Sequence, residues 1–246
     1  MDLGIAGRTA LVTASSKGLG RGAAIALAAE GVNVTLCGRN GDTLARAVEA
    51  VQEAAGTTGA EAHAVVADVS DRDAPARLVA ETVERFGALH ILVANAGGPP
   101  PGRALDVDDD ALVAALNANL LTTVRLVREA VPHQRSAGWG RIVAITSNAI
   151  KQPIPTLALS NTARAGLWAW SKTAARDLAR DGITLNLACP GMHATDRVRS
   201  LGVAEGTPLG DPDDFGRVIA FLCSEPAGFI NATALQVDGG EVAGLL

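Results

Sequence analysis

Short, almost wholly apolar runs alternate along this chain with longer stretches of helical periodicity, and that alternation leaves few folds open. Seven runs qualify as strands: Thr9–Thr13, Val32–Cys37, Ala62–Ala67, Ile91–Ala94, Ile142–Ile145, Thr184–Ala188 and Ala234–Val237. A run such as Ile91-Leu92-Val93-Ala94 has no polar alternate face, as expected of a strand covered on both sides. Helical stretches lie between them at about 19–30, 42–55, 73–86, 108–135, 157–181 and 212–224. Gly31, Gly56, Gly87 and Gly182 stand where helix stops belong. Repeated strand–helix–strand units build a parallel sheet with its crossovers on the faces. The expectation is a single α/β domain over residues 1–246, doubly wound, with seven parallel strands and helices on both faces.

Composition narrows the function classes. A chain of 246 residues with 48% hydrophobic content and 27 glycines suits a packed domain rich in turns rather than a disordered one. A net charge of −5 removes nucleic acid as an expected partner, because phosphate neutralisation needs clustered Lys and Arg. No window of about 18 uninterrupted apolar residues suggests a membrane span, and Met1-Asp2-Leu3-Gly4 lacks the basic start of a signal peptide. Cys37, Cys189 and Cys223 have no metal-site spacing. They read as buried free thiols in a cytoplasmic protein, and no metal is expected.

The first strand runs into Thr13-Ala14-Ser15-Ser16-Lys17-Gly18-Leu19-Gly20, and a helix follows. Such a loop lets backbone N–H groups and a helix N-terminus approach a pyrophosphate, as in Rossmann-type dinucleotide sites. The second strand ends at Cys37-Gly38-Arg39-Asn40. An acidic residue there would suit the ribose hydroxyls of NAD. Arg39, with Lys17 nearby, suits the additional 2′-phosphate of NADP. The expected cofactor is NADP, with NADPH preferred over NADH.

Further segments fix a comparison. Asp68-Val69 follows strand three, Asn95-Ala96-Gly97 follows strand four, Asn119-Leu120 lies in the long helix after it, and Ile145-Thr146-Ser147 ends strand five. Pro190-Gly191 with Thr195 follows strand six, and Val237-Asp238-Gly239-Gly240 closes the last strand. In these motifs the chain resembles the short-chain dehydrogenase/reductase family over nearly its whole length, and within it the 3-oxoacyl-carrier-protein reductases. The resemblance implies that Thr13, Ser15, Ser16, Lys17, Gly18, Leu19, Gly20, Arg39, Asp68, Val69, Asn95, Ala96, Gly97, Arg164, Pro190, Gly191 and Thr195 form the cofactor site. It implies that Asn119 and Ser147 belong to the catalytic group. It also implies a dimer or tetramer, assembled through the two long helices after strands four and five. Ala14 departs from the pattern, standing where the family's loop carries its first glycine, and Ala94 replaces an asparagine.

The deeper departure is at the chemistry. The family carries a Tyr-x-x-x-Lys pair on the helix after strand five; thirteen residues after Ser147 this chain has Ser160, and four further on Arg164. It has no tyrosine at all. In this it resembles an atypical subgroup of the family. Residues four apart share a helix face, so Ser160 and Arg164 are expected side by side. A serine is too weak an acid to be the net proton source, and an arginine stays protonated. His193 and Lys151 are the substitutes that the sequence offers as proton donor. Trp168 and Trp170 read as packing or interface residues. The stretch from Asp196 to Asp211, where relatives carry a substrate lid, is short here and contains Gly202, Gly206 and Gly210.

Three functions compete on this reading. The first is an atypical NADP(H)-dependent oxidoreductase acting on a small-molecule carbonyl or alcohol, a 3-oxoacyl thioester among the choices. The second is a catalytically silent subunit partnering a related, active reductase in a hetero-oligomer. The third, a non-redox lyase or isomerase, has no positive motif.

Overall fold

The computed structural model describes residues 1–202 and 206–245. Seven strands, β1 (Thr9–Val12), β2 (Asn33–Gly38), β3 (Ala62–Val66), β4 (Ile91–Ala94), β5 (Gly140–Ile145), β6 (Ile183–Pro190) and β7 (Ala234–Val237), form one sheet in the order β3-β2-β1-β4-β5-β6-β7. Every pairing is parallel. The helices are α1 (Gly18–Ala29), α2 (Gly41–Ala55), α3 (Ala74–Phe86), α4 (Asp109–Leu116), α5 (Thr122–Ala137), α6 (Ala158–Leu178), α7 (Asp196–Ser200) and α8 (Pro212–Leu222).

Successive strand residues face opposite sides of a sheet, and here both sides are dry. Val12, Ile91, Val93 and Val143 point to one core with Leu27 of α1, Val51 of α2 and Phe215 of α8. Their neighbours Leu11, Leu92 and Ile142 point to the other, with Leu78 of α3, Leu126 of α5 and Leu167 of α6. This explains the unbroken apolar runs: neither face has water to meet. Two glycines let one helix pair close up completely. A Cβ on Gly22 of α1 would lie 2.2 Å from the carbonyl oxygen of Pro212, and one on Gly216 of α8 would lie 2.1 Å from that of Gly22. The backbones of α1 and α8 therefore touch directly.

The strands and most helices match the expected ranges within a few residues. The expected helix 108–135 is interrupted: Asn117–Leu121 form a π-helical turn between α4 and α5. The expected helix 157–181 ends at Leu178 and closes with a 3₁₀ turn, Ala179–Asp181. Helix α7 arises inside the expected lid, of which residues 203–205 lie outside the described residues. The continuous run Asp109–Ala137 is, by length and composition alone, long and apolar enough to cross a membrane. Part of its apolar face packs in the core, Leu126 and Ala130 being fully buried, while Val113 and Leu121 are exposed. All three cysteines are free and buried, and burial pushes the Cys37 and Cys223 thiols up to about 11 and about 12. Among the described residues no cluster of ligands suits a metal ion.

Candidate active site

The chain order reverses between β1 and β4, and in an open parallel sheet a crevice forms there, beyond the carboxyl ends of the strands. A cavity of about 930 Å³ occupies this position, between the loops after β1, β4, β5 and β6. A second hollow of about 310 Å³ adjoins it beside the ends of β2 and β3, and Lys17, Arg39, Ala96 and Gly97 border both.

The smaller hollow lies beside the ends of β2 and β3, where a Rossmann-type sheet can take an adenosine. Asp68, Val69 and Ser16 line it. Asp68 accepts hydrogen bonds from the Ser70 hydroxyl at 2.6 Å and the Ser70 amide at 2.9 Å, which hold its carboxyl below the ordinary range. Arg39 reaches toward it, Nη1 lying 3.8 Å from Asp68 Oδ2, with 81% of the side chain still exposed. A cation held over the hollow yet open to solvent can meet a phosphate.

The phosphate loop fits a pyrophosphate. Lys17 precedes α1 in extended backbone, and no side chain caps the helix, so the amides of its first turn are open to an anion. Gly18 takes a left-handed φ of +55°, and a Cβ there would come 3.2 Å from the Thr195 methyl. Ala14 also takes a left-handed φ, +44°. A glycine takes this conformation freely, whereas a residue with a Cβ holds it at a cost of about 1–2 kcal/mol.

Three residues expected in direct contact with cofactor stand behind the loop instead. Ser15 is fully buried; its hydroxyl donates to Val12 O and accepts from the Cys37 amide, while its own amide donates to Cys37 O. Thr13 exchanges hydrogen bonds with the Asn95 backbone at 2.7 and 2.8 Å. A Cβ on Gly20 would sit 2.7 Å from both Ala14 O and Asn95 Nδ2. These residues shape the loop by packing and backbone bonds, and none of them lines either hollow. Leu19, Asn95, Pro190, Gly191 and Thr195 do line the larger one.

At the other end of the cleft, α6 places Ser160 and Arg164 on its cavity face, one turn apart as expected. Ser160 is almost fully buried, and its hydroxyl makes no hydrogen bond within the described residues. Arg164 donates through Nη1 to Ile145 O at 3.0 Å and Thr146 O at 2.6 Å, capping the end of β5. Burial, with the charge of Arg197 adding to it, lowers its pKa to about 10, still far above neutrality. Ser147 lines the cavity too, but its oxygen accepts from the Ala149 amide while its hydroxyl faces Asn148 Oδ1 at 3.3 Å.

Three residues that the sequence offered for the chemistry lie outside the cavity wall. His193 is buried rather than in the cleft: its ring packs edge-on against Phe215, Nδ1 lies 3.1 Å from Gly191 O, and a Cβ on Gly210 would collide with it. The bridge between His193 and Gly210 turns this side chain inward while the neighbouring Met192 lines the cavity. Lys151 likewise stays out, its ammonium lying 4.4 Å from the centre of the Trp168 ring. Asn119 sits in the π-helical turn, buried and outside the cavity wall, with Oδ1 unpartnered. That turn packs against α6, the helix carrying Ser160 and Arg164.

The sequence reading missed two charged groups that line the cavity, Arg197 and Glu241. Arg197, on α7, spans to the loop after β4 and donates to Pro99 O at 2.8 Å. Glu241 is brought to Gly191 by the turn after β7, where a Cβ on Gly191 would lie 2.8 Å from its Oε2. No local spacing announces either one.

Comparison with known proteins agrees with this geometry. The family described as enoyl-(acyl carrier protein) reductase matches residues 13–241. The chain is 36% identical to a 3-oxoacyl-[acyl-carrier-protein] reductase of Synechocystis over 96% of its own length and 97% of the relative's. It is 32% identical to human dehydrogenase/reductase SDR family member 4, covering 96% of this chain and 88% of that protein. The structure of L-sorbose reductase from Gluconobacter frateurii, complexed with NADPH and L-sorbose, superposes with a TM-score of 0.91 at 28% identity and complete coverage of both chains. Loop, sheet order, cleft and relatives agree: the chain belongs to the short-chain dehydrogenase/reductase family of oxidoreductases.

Proposed function

We propose that this chain is an NADP(H)-dependent oxidoreductase that interconverts a carbonyl and an alcohol at the Ser147–Ser160–Arg164 end of the cleft. The observation that carries the reading is the continuity of the cleft. One hollow begins beneath Arg39, passes the uncapped start of α1 and ends against Ser160 and Arg164. NADP(H) would lie along it, with its 2′-phosphate near Arg39 and Lys17, its pyrophosphate at Gly18 and Leu19, and its nicotinamide near Pro190, Gly191 and Thr195. When bound it supplies or accepts the hydride.

The chain's own residues orient the carbonyl. Ser160 offers an unengaged hydroxyl, Ser147 a second one after rotation from Asn148, and Arg164 a fixed positive charge that favours a developing alkoxide. The family's phenol is missing, Ser160 and Arg164 standing in the positions of the pair. The net proton then comes from water entering the cleft, and the chemical step is slow compared with a tyrosine-bearing relative. A 3-oxoacyl thioester is one substrate of the right class. The removal of His193 from the cleft favours one alternative specifically, a silent subunit that binds NADP(H) and partners an active relative.

Titration of the purified protein with NADPH and NADH, followed by nucleotide fluorescence, tests the reading. NADPH is expected to bind at least about tenfold more tightly, since a charged hydrogen bond contributes about 1.5–3 kcal/mol. Equal affinities would remove Arg39 from the argument, and no binding of either nucleotide would remove the enzyme. A ketone panel monitored by NADPH absorbance, with turnover absent throughout, would leave the silent subunit.

A further inference from the structure

Among the described residues no carboxylate pairs with the buried charge of Arg164. The side chain is buried. Its Nη1 is spent on two β5 carbonyls, while Nε is buried without a partner. The titratable groups acting on it are Cys189 and Arg197, and no carboxylate is among them. A buried cation is costly unless it is paired and hydrogen-bonded. The capping of β5 uses only one of the three guanidinium nitrogens.

The cavity adds charge of the same sign. Arg197 enters its wall from α7. The two acids that line it are otherwise placed: Asp196 lies 3.3 Å from Lys17 and 3.5 Å from Arg199, and Glu241 is exposed beside Gly191. Ile154, Leu157 and Met192 give the same end an apolar side. A ligand that satisfies this end has a short apolar body, a carbonyl within reach of Ser160 and a negative group facing Arg164. With Nη1 spent and Nε buried, Nη2 is the nitrogen left to a ligand, and a carboxylate can meet it through a charged hydrogen bond.

We propose that the substrate of this cleft is an oxo acid with a free carboxylate, held by Arg164 and supported at longer range by Arg197. The proposal rests on the oxidoreductase reading and narrows its substrate class. A carboxylate on the substrate balances the charge at the moment of binding, so discrimination against neutral ketones and esters is built into the floor of the cleft.

The test is calorimetric titration of pyruvate, acetoacetate and levulinate, each against its methyl ester. It is run on the nucleotide-free protein and on protein saturated with NADP⁺, which cannot reduce a ketone. At least one acid is expected to bind tenfold or more tightly than its ester. In Arg164→Gln that ratio should fall to about two or less, while Arg164→Lys should keep a clear preference for the acid. Arg197→Gln, at an exposed position that leaves β5 capped, should lower the ratio about threefold. That variant decides the matter if Arg164→Gln fails to fold. Ratios within twofold for all three pairs, or a ratio unchanged in the Arg197 variant, would overturn the proposal. So would an Arg164→Gln protein that loses NADP⁺ affinity while keeping the acid preference, since the charge would then serve the cofactor. Failure of the wild type to bind NADP⁺ at all sinks the oxidoreductase reading and is read separately.

Discussion

The two ends of the cleft are built from different materials. The adenosine and phosphate end relies on backbone: an uncapped helix start, left-handed turns at Ala14 and Gly18, and buried hydroxyls on Thr13 and Ser15 that brace the loop. The reaction end relies on side chains, Ser147, Ser160, Arg164 and Arg197, meeting in one wall. Backbone sites tolerate substitution, because the donor is the peptide itself. Ala14 holds a left-handed φ of +44° that leaves its peptide groups where the loop needs them. A side-chain site has no such reserve, because its chemistry depends on which residue stands at each position.

Restoring the missing pair is the strongest challenge to this contrast. Ser160→Tyr with Arg164→Lys should raise carbonyl reduction by NADPH about 100-fold or more, the contribution of a positioned general acid. Steady-state rates on a ketone panel check it, and an unchanged rate would mean that the reaction end differs in more than its acid. At the seam between α1 and α8, Gly216→Ala forces a Cβ into the Gly22 carbonyl. It should cost about 3 kcal/mol, the upper end for overpacking, seen as a lower midpoint in urea. A loss below 0.5 kcal/mol would show that the helices slide apart freely. Arg39→Ala should weaken NADPH about tenfold and leave NADH within twofold, as fluorescence titration reads directly. The smallest effect is at Ala14→Gly. Relief of the left-handed alanine, less the added freedom of the unfolded chain, should stabilise by about 0.5–1 kcal/mol. Thermal melts with and without NADPH separate that gain from any change in nucleotide affinity.

The sheet and its helices were legible because burial on both faces leaves its mark on the inner strands: Leu11 and Val12 serve opposite cores, so neither can be polar. The π-helical turn at Asn117–Leu121 was not, since a single added residue per turn leaves hydrophobic spacing nearly unchanged. The spacing of Ser160 and Arg164 on one helix face carried through because helix geometry is local. His193 misled for the opposite reason. Its direction is set by a bridge to Gly210, seventeen residues on and beyond a segment whose path the sequence does not specify. Arg197 and Glu241 reach the cleft by comparable long excursions. Ala14 was recognised as a departure, but only its φ of +44° gives that departure an energy.

The contact between Gly22 and Pro212 has a mechanical consequence. Pro212 begins α8, and Gly22 lies one turn into α1, whose first amides no side chain caps. With no side chain between them, a small tilt of one helix is passed to the other undamped. A shift at the uncapped start of α1 therefore bears directly on the start of α8, with only backbone between them.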